Sequence, residues 1–187
     1  MTSLSGERLV PKTNGRIAFR GVIDTLQAEV IEAQVLASGL AKGADPAESG
    51  ASGVCGYLGE ILGCLRNIIA AEVKETPLPP PFLFGMDAEE IHRQSHNAGG
   101  KLFALPSYTQ GPLAARINTL RAKVREAELL GVRVFGPGDA GESVSADFYP
   151  REDIILALNR LSSALWWLFC EYISGKAEAG PPKDSQL

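Results

Sequence analysis

Apolar residues recur along this chain at steps of three and four, the spacing that puts side chains on one face of an α-helix. The first run is Phe19, Ile23, Leu26, Val30, Ala33 and Ala37, a face of about six turns. The glycine-rich stretch SGLAKGADPAESGASG follows and is expected to end that helix. A second run, Val54, Leu58, Ile61, Leu65, Ile68 or Ile69 and then Val73, stops before TPLPPP. Prolines lack amide hydrogens and fix φ, so an extended linker is predicted there. After Gly85, MDAEEIHRQSHN reads as a short helix with Asp87 placed to cap it. A third long helix starts at GPLAAR with Pro112 in its first turn, buries Leu113, Ile117, Leu120, Val124 and Ala127, and stops around FGPGDAG. A fourth starts at YPREDI with Pro150 in the same role, buries Ile154, Leu158, Leu161, Leu165 and Leu168, and is closed by Gly175. No stretch of period-two alternation competes with these runs. The pattern predicts an all-α fold, a bundle of four to five helices over residues 9–176, with 1–8 and 177–187 as flexible termini.

The most apolar of these segments, ILALNRLSSALWWLF, carries Asn159, Arg160, Ser162 and Ser163 in its middle. A helix that only fills a core does not need four polar side chains there, so this stripe points to a bound ligand. Comparable stripes lie beside the other core faces: Asp24, Gln27 and Gln34 on the first helix, and Arg121, Arg125 and Glu128, at steps of four and three, on the third. Plainer readings stay open at this point. Arg125 and Glu128 are compatible with an ordinary exposed helix pair, worth tenths of a kcal/mol. Asp24 and Arg121 are compatible with a buried interhelical ion pair that holds no ligand.

Composition narrows the classes. A chain of 187 residues suits one domain that buries roughly 70% of its unfolded surface without staples. A net charge of -4 and a pI near 5.3 give no general attraction to nucleic acid or anionic lipid, so an anionic ligand must be met by a local cluster of cations. Three cysteines, Cys55, Cys64 and Cys170, with no CxxC pair, fit reduced thiols in a cytoplasmic setting. The start, MTSLSGERLVPK, has no apolar signal region, and no uninterrupted apolar run approaches the roughly 20 residues of a membrane span. A soluble, intracellular protein is expected. His92 and His96 lie one helical turn apart, and Glu89 with His92 makes a Glu-x-x-His pair of the kind di-iron bundles use. The chain has no second copy of that pair, so surface or loop-anchoring histidines compete with a metal reading. HExxH and GxxxxGK[ST] are lacking, and GPGDAG, at residues 136–141, is read as a flexible connector.

Five pieces, in order, carry a resemblance: VPKTNGRIAFRGVIDTLQAEV, GMDAEEIHRQSHN, FALP, LRAKVREAE and ILALNRLSS. Together they resemble the corrinoid adenosyltransferases, in the branch found in ethanolamine-utilisation operons, over residues 9–176. LNRLSS and the Arg-x-x-x-Arg-x-x-Glu frame are its more specific parts. The resemblance implies an enzyme that moves the 5'-deoxyadenosyl group of ATP onto the cobalt of cob(I)alamin and releases triphosphate, with Mg²⁺ as the accompanying ion. It further implies a helical-bundle homo-oligomer, a trimer with a dimer as alternative, whose site lies between subunits, in the cytoplasm or in association with a bacterial microcompartment.

By matching position, Asp24 and Arg121 would form a salt bridge across the subunit contact, Arg125 would bind ATP, and Asn159 would contact the nucleotide. Lys12 would lie near the phosphates, and Glu128, which ends the arginine motif, and Arg160, beside Asn159, would also bind the nucleotide. Phe103, with Phe82, Phe84 and Tyr108 as substitutes, would fill the space left by the lower axial ligand of cobalamin. Co(I) is itself a strong nucleophile, so no catalytic triad or activated cysteine is required, and none is visible. The glycine- and threonine-rich phosphate segment of the propanediol-type enzymes is replaced here by MTSLSGER, and Leu129 stands where they carry another arginine. One phosphate contact is then either missing or provided by Arg133 or His96. No structural metal is predicted. Competing readings are a non-catalytic corrinoid carrier, a microcompartment-associated helical scaffold and a ferritin-like metalloprotein.

Overall fold

Asn14 begins the first helix. Its side-chain oxygen accepts the Arg16 amide at 2.9 Å, the capping role asparagine favours, and α1 runs from Gly15 to Gly43. The computed structural model describes residues 1–5, 8–43, 50–101, 105–136 and 150–175. Over these, α2 spans Gly50–Lys74, α3 Ala88–Lys101, α4 Gly111–Phe135 and α5 Glu152–Ile173. The periodic faces do what their spacing predicts: Phe19 to Ala37, Val54 to Ile68, Leu113 to Ala127 and Ile154 to Leu168 all enter one core. α1 outlasts its expected length, running through Ser38, Gly39 and Leu40 before the chain turns.

Packing is a ring. α1 lies against α2 and α4, and α5 against α4 and α2, while α3 leans on the outside of α5. One end of this bundle gathers the start of α1, the end of α2, the end of α4 and the start of α5. Phe19 of α1 meets Phe135 of α4 edge-on at 5.0 Å, and the Arg151 amide donates to the Phe135 carbonyl at 3.2 Å. Gly131 sits where α4 meets α5, and a Cβ there would make ordinary contact with Leu158 and Phe19. α2 and α5 are apolar and long enough to be candidate membrane spans by composition, yet both lay their apolar faces into this core.

Some boundaries differ from the sequence pattern. α5 begins at Glu152, so Pro150 precedes it and Arg151 takes the cap position without a side-chain cap bond. Asp87 does cap α3, accepting the Glu90 amide at 2.8 Å. Gly175, at φ 72, follows the end of α5 in the left-handed conformation that glycine tolerates.

The N-terminal residues, expected to be free ahead of residue 9, instead include a hairpin. Thr2–Ser5 (β1) pairs antiparallel with Arg8–Val10 (β2), and Leu4 is 2% exposed beside α2. Three- and four-residue strands are too short to show a period, and one buried leucine is enough to dock them.

The largest departure is at the end of α2. Val73, on the predicted core face, is 39% exposed, whereas Glu72 is fully buried. Glu72 accepts from Arg16 Nε and Arg20 Nε, each at 2.5 Å, and its carbonyl accepts from Arg16 Nη2. Nearby, Arg151 donates to Asp153 and to the carbonyls of Ala71 and Thr76. These contacts tie α1, α2 and α5 at one end through charge.

The linker after α2 ends in a tight turn. Leu83 and Met86 exchange backbone hydrogen bonds around Phe84 (φ 61) and Gly85 (φ 75). Positive φ at both central residues is ordinary for glycine and costly for phenylalanine. The Phe84 amide is held at 2.6 Å by Glu60 of α2, and its ring packs against Tyr57 and Trp167.

Candidate functional site

The groove between α4 and α5, on the side facing α3, holds two cavities. The first, of about 470 Å³, is lined by Arg121 and Arg125 from α4, Ser162, Ser163 and Trp166 from α5, Ser95 and His96 from α3, and Leu105 with Pro106. The second, of about 490 Å³, lies toward the start of α5 and is lined by Glu128, Glu152, Asp153, Ile155, Leu156 and Asn159. Residues 121, 125 and 128 on α4, and 155, 159, 162 and 166 on α5, advance at steps of three and four. Helical spacing therefore strings both cavities along one face.

Arg121 lies at the centre of the first cavity. Its guanidinium sits 5.2 Å above the Trp166 ring, a cation–π arrangement, and Nε donates to Asn118 at 3.2 Å. Trp166 in turn stacks on Phe169, centroids 5.4 Å apart. Burial, and then the neighbouring charge of Arg125, push the Arg121 pKa below the ordinary arginine value. Among the described residues neither arginine has a carboxylate partner. Two like charges share a partly desolvated wall, an arrangement that an incoming anion would relieve.

The second cavity is polar in the opposite sense. Asn159 Nδ2 donates to Glu128 Oε1 at 2.9 Å, and Arg160 Nη1 donates to Asn159 Oδ1 at 2.6 Å. Arg160 reaches on toward Glu89 of α3, Nη2 to Oε1 3.6 Å. Glu128 is thus a partner of Asn159 rather than of Arg125, which replaces the plain exposed-pair reading.

Of the expected site residues, Arg121, Arg125 and His96 meet in the first cavity, and Glu128 and Asn159 in the second, with Arg160 behind them. Lys12 is exposed in the turn between β2 and α1 and lines neither cavity. Asp24 is exposed on α1, contacted by Gln27 at 3.5 Å. It does not pair with Arg121 inside the chain. The ion pairs Lys123–Glu29 and Arg116–Glu32 place Arg121 level with the α1 segment between Glu29 and Glu32, beyond the reach of Asp24. Phe103 lies outside the described residues. Phe84 is buried in its turn, Phe82 and Tyr108 are exposed, and none of the three lines either cavity. Of the two stand-ins for the arginine absent at Leu129, His96 shares a cavity with Arg121 and Arg125, whereas Arg133 does not.

His92 and His96 have ring centroids 4.6 Å apart. No group of three or more His, Cys, Asp or Glu side chains suited to one metal ion occurs among the described residues. The cysteines are unpaired. Burial pushes the Cys64 thiol up to about 12 and, with Glu171, the Cys170 thiol to about 11, so neither is a ready thiolate.

The sequence pattern gave no site role to Trp166, nor to Ser95, Leu105 and Pro106 within the quoted pieces GMDAEEIHRQSHN and FALP. Trp166 stands seven residues after Asn159, two full turns along the same stripe, and that spacing was the available signal.

Comparison with known proteins bears on the same residues. The profile of the cobalamin adenosyltransferase family matches residues 1–172. The corrinoid adenosyltransferase EutT of Escherichia coli (strain K12) is 33% identical over 170 residues, covering 89% of this chain and 56% of that protein. The corrinoid adenosyltransferase EutT of Salmonella typhimurium (strain LT2) is 32% identical over the same length. The chain thus spans about half the length of the curated relatives it matches. No solved structure matches it. With the profile running through both hairpin strands and nearly all of α1 to α5, the chain belongs to the cobalamin adenosyltransferase family.

Proposed function

We propose that this chain transfers the 5'-deoxyadenosyl group of ATP to the cobalt of cob(I)alamin. The observation that carries the reading is the pair Arg121 and Arg125, two cations on the wall of a partly apolar cavity that have no carboxylate partner among the described residues of one chain. A triphosphate supplies what that wall lacks. In the transfer, the electron pair of Co(I) forms the bond to the ribose 5' carbon while the bond from that carbon to oxygen breaks, and its pair leaves with the triphosphate. Charge therefore grows on the leaving phosphate oxygen, and preorganised cations stabilise that charge without reorganisation.

Arg121 is oriented before any ligand arrives, by Trp166 on one side and Asn118 on the other. Arg125 is free to close over the phosphates, and His96 adds a donor at the same wall. Asn159 and Glu128, one turn further, offer an N–H donor and a carboxylate acceptor suited to the hydroxyls and ring nitrogens of a nucleoside. Mg²⁺ usually travels on phosphates with one or two protein carboxylates, and Glu128 would hold it here. When bound, that ion shares the charge of the triphosphate. Holding the two substrates in line is the remaining task.

Asp24 and Lys12, exposed and away from both cavities within one chain, suit a site completed by a neighbouring copy. In a homotrimer, Asp24 of a neighbouring copy would bridge to Arg121, leaving Arg125 as the cation that faces the triphosphate, and Lys12 would join it at the phosphates. Phe103 is proposed as the aromatic that fills the vacated lower face of cobalamin. A cytoplasmic enzyme, associated with an ethanolamine-degrading microcompartment, is the corresponding setting.

The test is an anaerobic assay of chemically reduced cob(I)alamin with MgATP, following loss of the Co(I) absorbance and gain of light-sensitive adenosylcobalamin, with Arg125→Ala in parallel. Product from the wild type and little from the variant is expected. Cobalamin binding with no product would identify a carrier instead.

A further inference from the structure

We infer that Arg160 is a positioning residue: it fixes the amide of Asn159 in the orientation that a nucleotide meets, and Glu89 of α3 holds Arg160 in place. The inference rests on the adenosyl-transfer reading, in which Asn159 contacts ATP.

A free asparagine amide presents oxygen or nitrogen with nearly equal ease, because the two ends have almost the same shape. Here both ends are committed. Oδ1 accepts from Arg160 Nη1 at 2.6 Å, and Nδ2 donates to Glu128 Oε1 at 2.9 Å. Reversing the amide would set its NH2 against a guanidinium and its oxygen against a carboxylate, losing two charge-assisted hydrogen bonds at once. The side chain therefore keeps its NH2 end toward Glu128, with the second N–H left to donate. A cation on Oδ1 also polarises the amide and makes that N–H a stronger donor.

Arg160 is built for this task rather than for contact with the ligand. Its side chain is only 12% exposed, its Nε is buried without a partner, and it lines neither cavity. The remaining nitrogen, Nη2, faces Glu89 at 3.6 Å. Glu89 is 86% exposed and sits in the first turn of α3, three residues before His92 and seven before His96. Glu89, Arg160, Asn159 and Glu128 thus form one chain of polar contacts from α3 through α5 to α4. α3 also supplies Ser95 and His96 to the first cavity, so the element that lines one cavity steadies the amide in the other.

The experiment is a double-mutant cycle read as the dissociation constant for MgATP by calorimetry, with adenosyl transfer measured on the same samples. Arg160→Met is expected to weaken ATP binding about tenfold and Asn159→Ala by a similar factor, with the double variant no worse than Asn159→Ala alone. Cobalamin affinity should not move. Arg160→Lys, which keeps the charge and guards against loss of folding, should recover part of the affinity, and Glu89→Gln should cost about twofold. Helical content and melting temperature verify that each variant folds. Additive losses in the cycle would mean that Arg160 touches the ligand itself, and unchanged ATP affinity in Arg160→Met and Arg160→Lys would mean that it does neither; each result overturns the inference. A wild type that binds ATP but makes no adenosylcobalamin removes the transfer reading while the cycle still decides the role of Arg160. One that binds no ATP overturns both.

Discussion

Arginines occupy two regions of this bundle in opposite circumstances. At the end where α1, α2 and α5 meet, Arg16 and Arg20 converge on the buried carboxylate of Glu72, and Arg16 also reaches Glu75. In the first cavity of the α4–α5 groove, Arg121 and Arg125 share a wall and have no carboxylate partner among the described residues. Burial opposes charge on both Arg16 and Arg121. Hydrogen bonds to Glu75 and Glu72 reverse that effect for Arg16 and raise its pKa, whereas Arg125 deepens it for Arg121 and the pKa falls. The same residue type is a fastener where its partner is built in and, on the proposed reading, a binding element where its partner must arrive from solution.

The comparison breaks first at Glu72. Glu72→Ala leaves two arginines facing an empty buried space, and a loss of about 3 to 5 kcal/mol in urea unfolding is expected. A loss below about 1 kcal/mol would show that the network is not a fastener.

Arg125→Ala tests the other side. ATP-dependent transfer should fall about a hundredfold, with the melting temperature unchanged because the side chain is exposed and holds no hydrogen bond or ion pair among the described residues. A fall in melting temperature would put Arg125 with the structural arginines.

Asp24→Asn should weaken self-association about tenfold by sedimentation, with activity falling in step at low protein concentration. Unchanged assembly would return Asp24 to the solvated surface.

Glu60 sharpens the contrast most gently, as a carboxylate with one oxygen on the Phe84 amide and the other buried without a partner. Burial raises its pKa in spite of that amide. Its folded pKa therefore exceeds the unfolded one, and wild-type stability falls as pH rises through that interval. Glu60→Gln keeps an acceptor for the amide and does not titrate. It should gain less than about 1 kcal/mol at neutral pH, with no gain below the ordinary glutamate range. A gain that persists in acid would exclude this cause.

The bundle was legible because its cores are periodic. Each apolar face from Phe19 to Leu168 is a local pattern, and burial follows from spacing alone. Glu72 was not legible. It sits among IIAAEVK, where the helical period favours Val73, and its partners lie 52 and 56 residues away. No local pattern encodes a pair at that distance. The groove was half legible: Asn159, Ser162 and Ser163 stood out as polar in an apolar helix, as Arg121 and Arg125 did by their spacing. Trp166 looked like more core, since a tryptophan that fills space and one that carries a guanidinium read alike in sequence. The hairpin at residues 2–10 was hidden by brevity.

The proline linker holds a last consequence. Between Thr76 and Phe82 the chain reads Pro-Leu-Pro-Pro-Pro, so Leu78 carries the only amide hydrogen of residues 77–81. That hydrogen is donated at 2.7 Å to Asp153, the carboxylate that Arg151 grips. In deuterium exchange the whole segment is therefore silent except at one site. The protection of the Leu78 amide reports how often the start of α5 lets go of the linker, a single natural clock for opening at the charged end of the bundle.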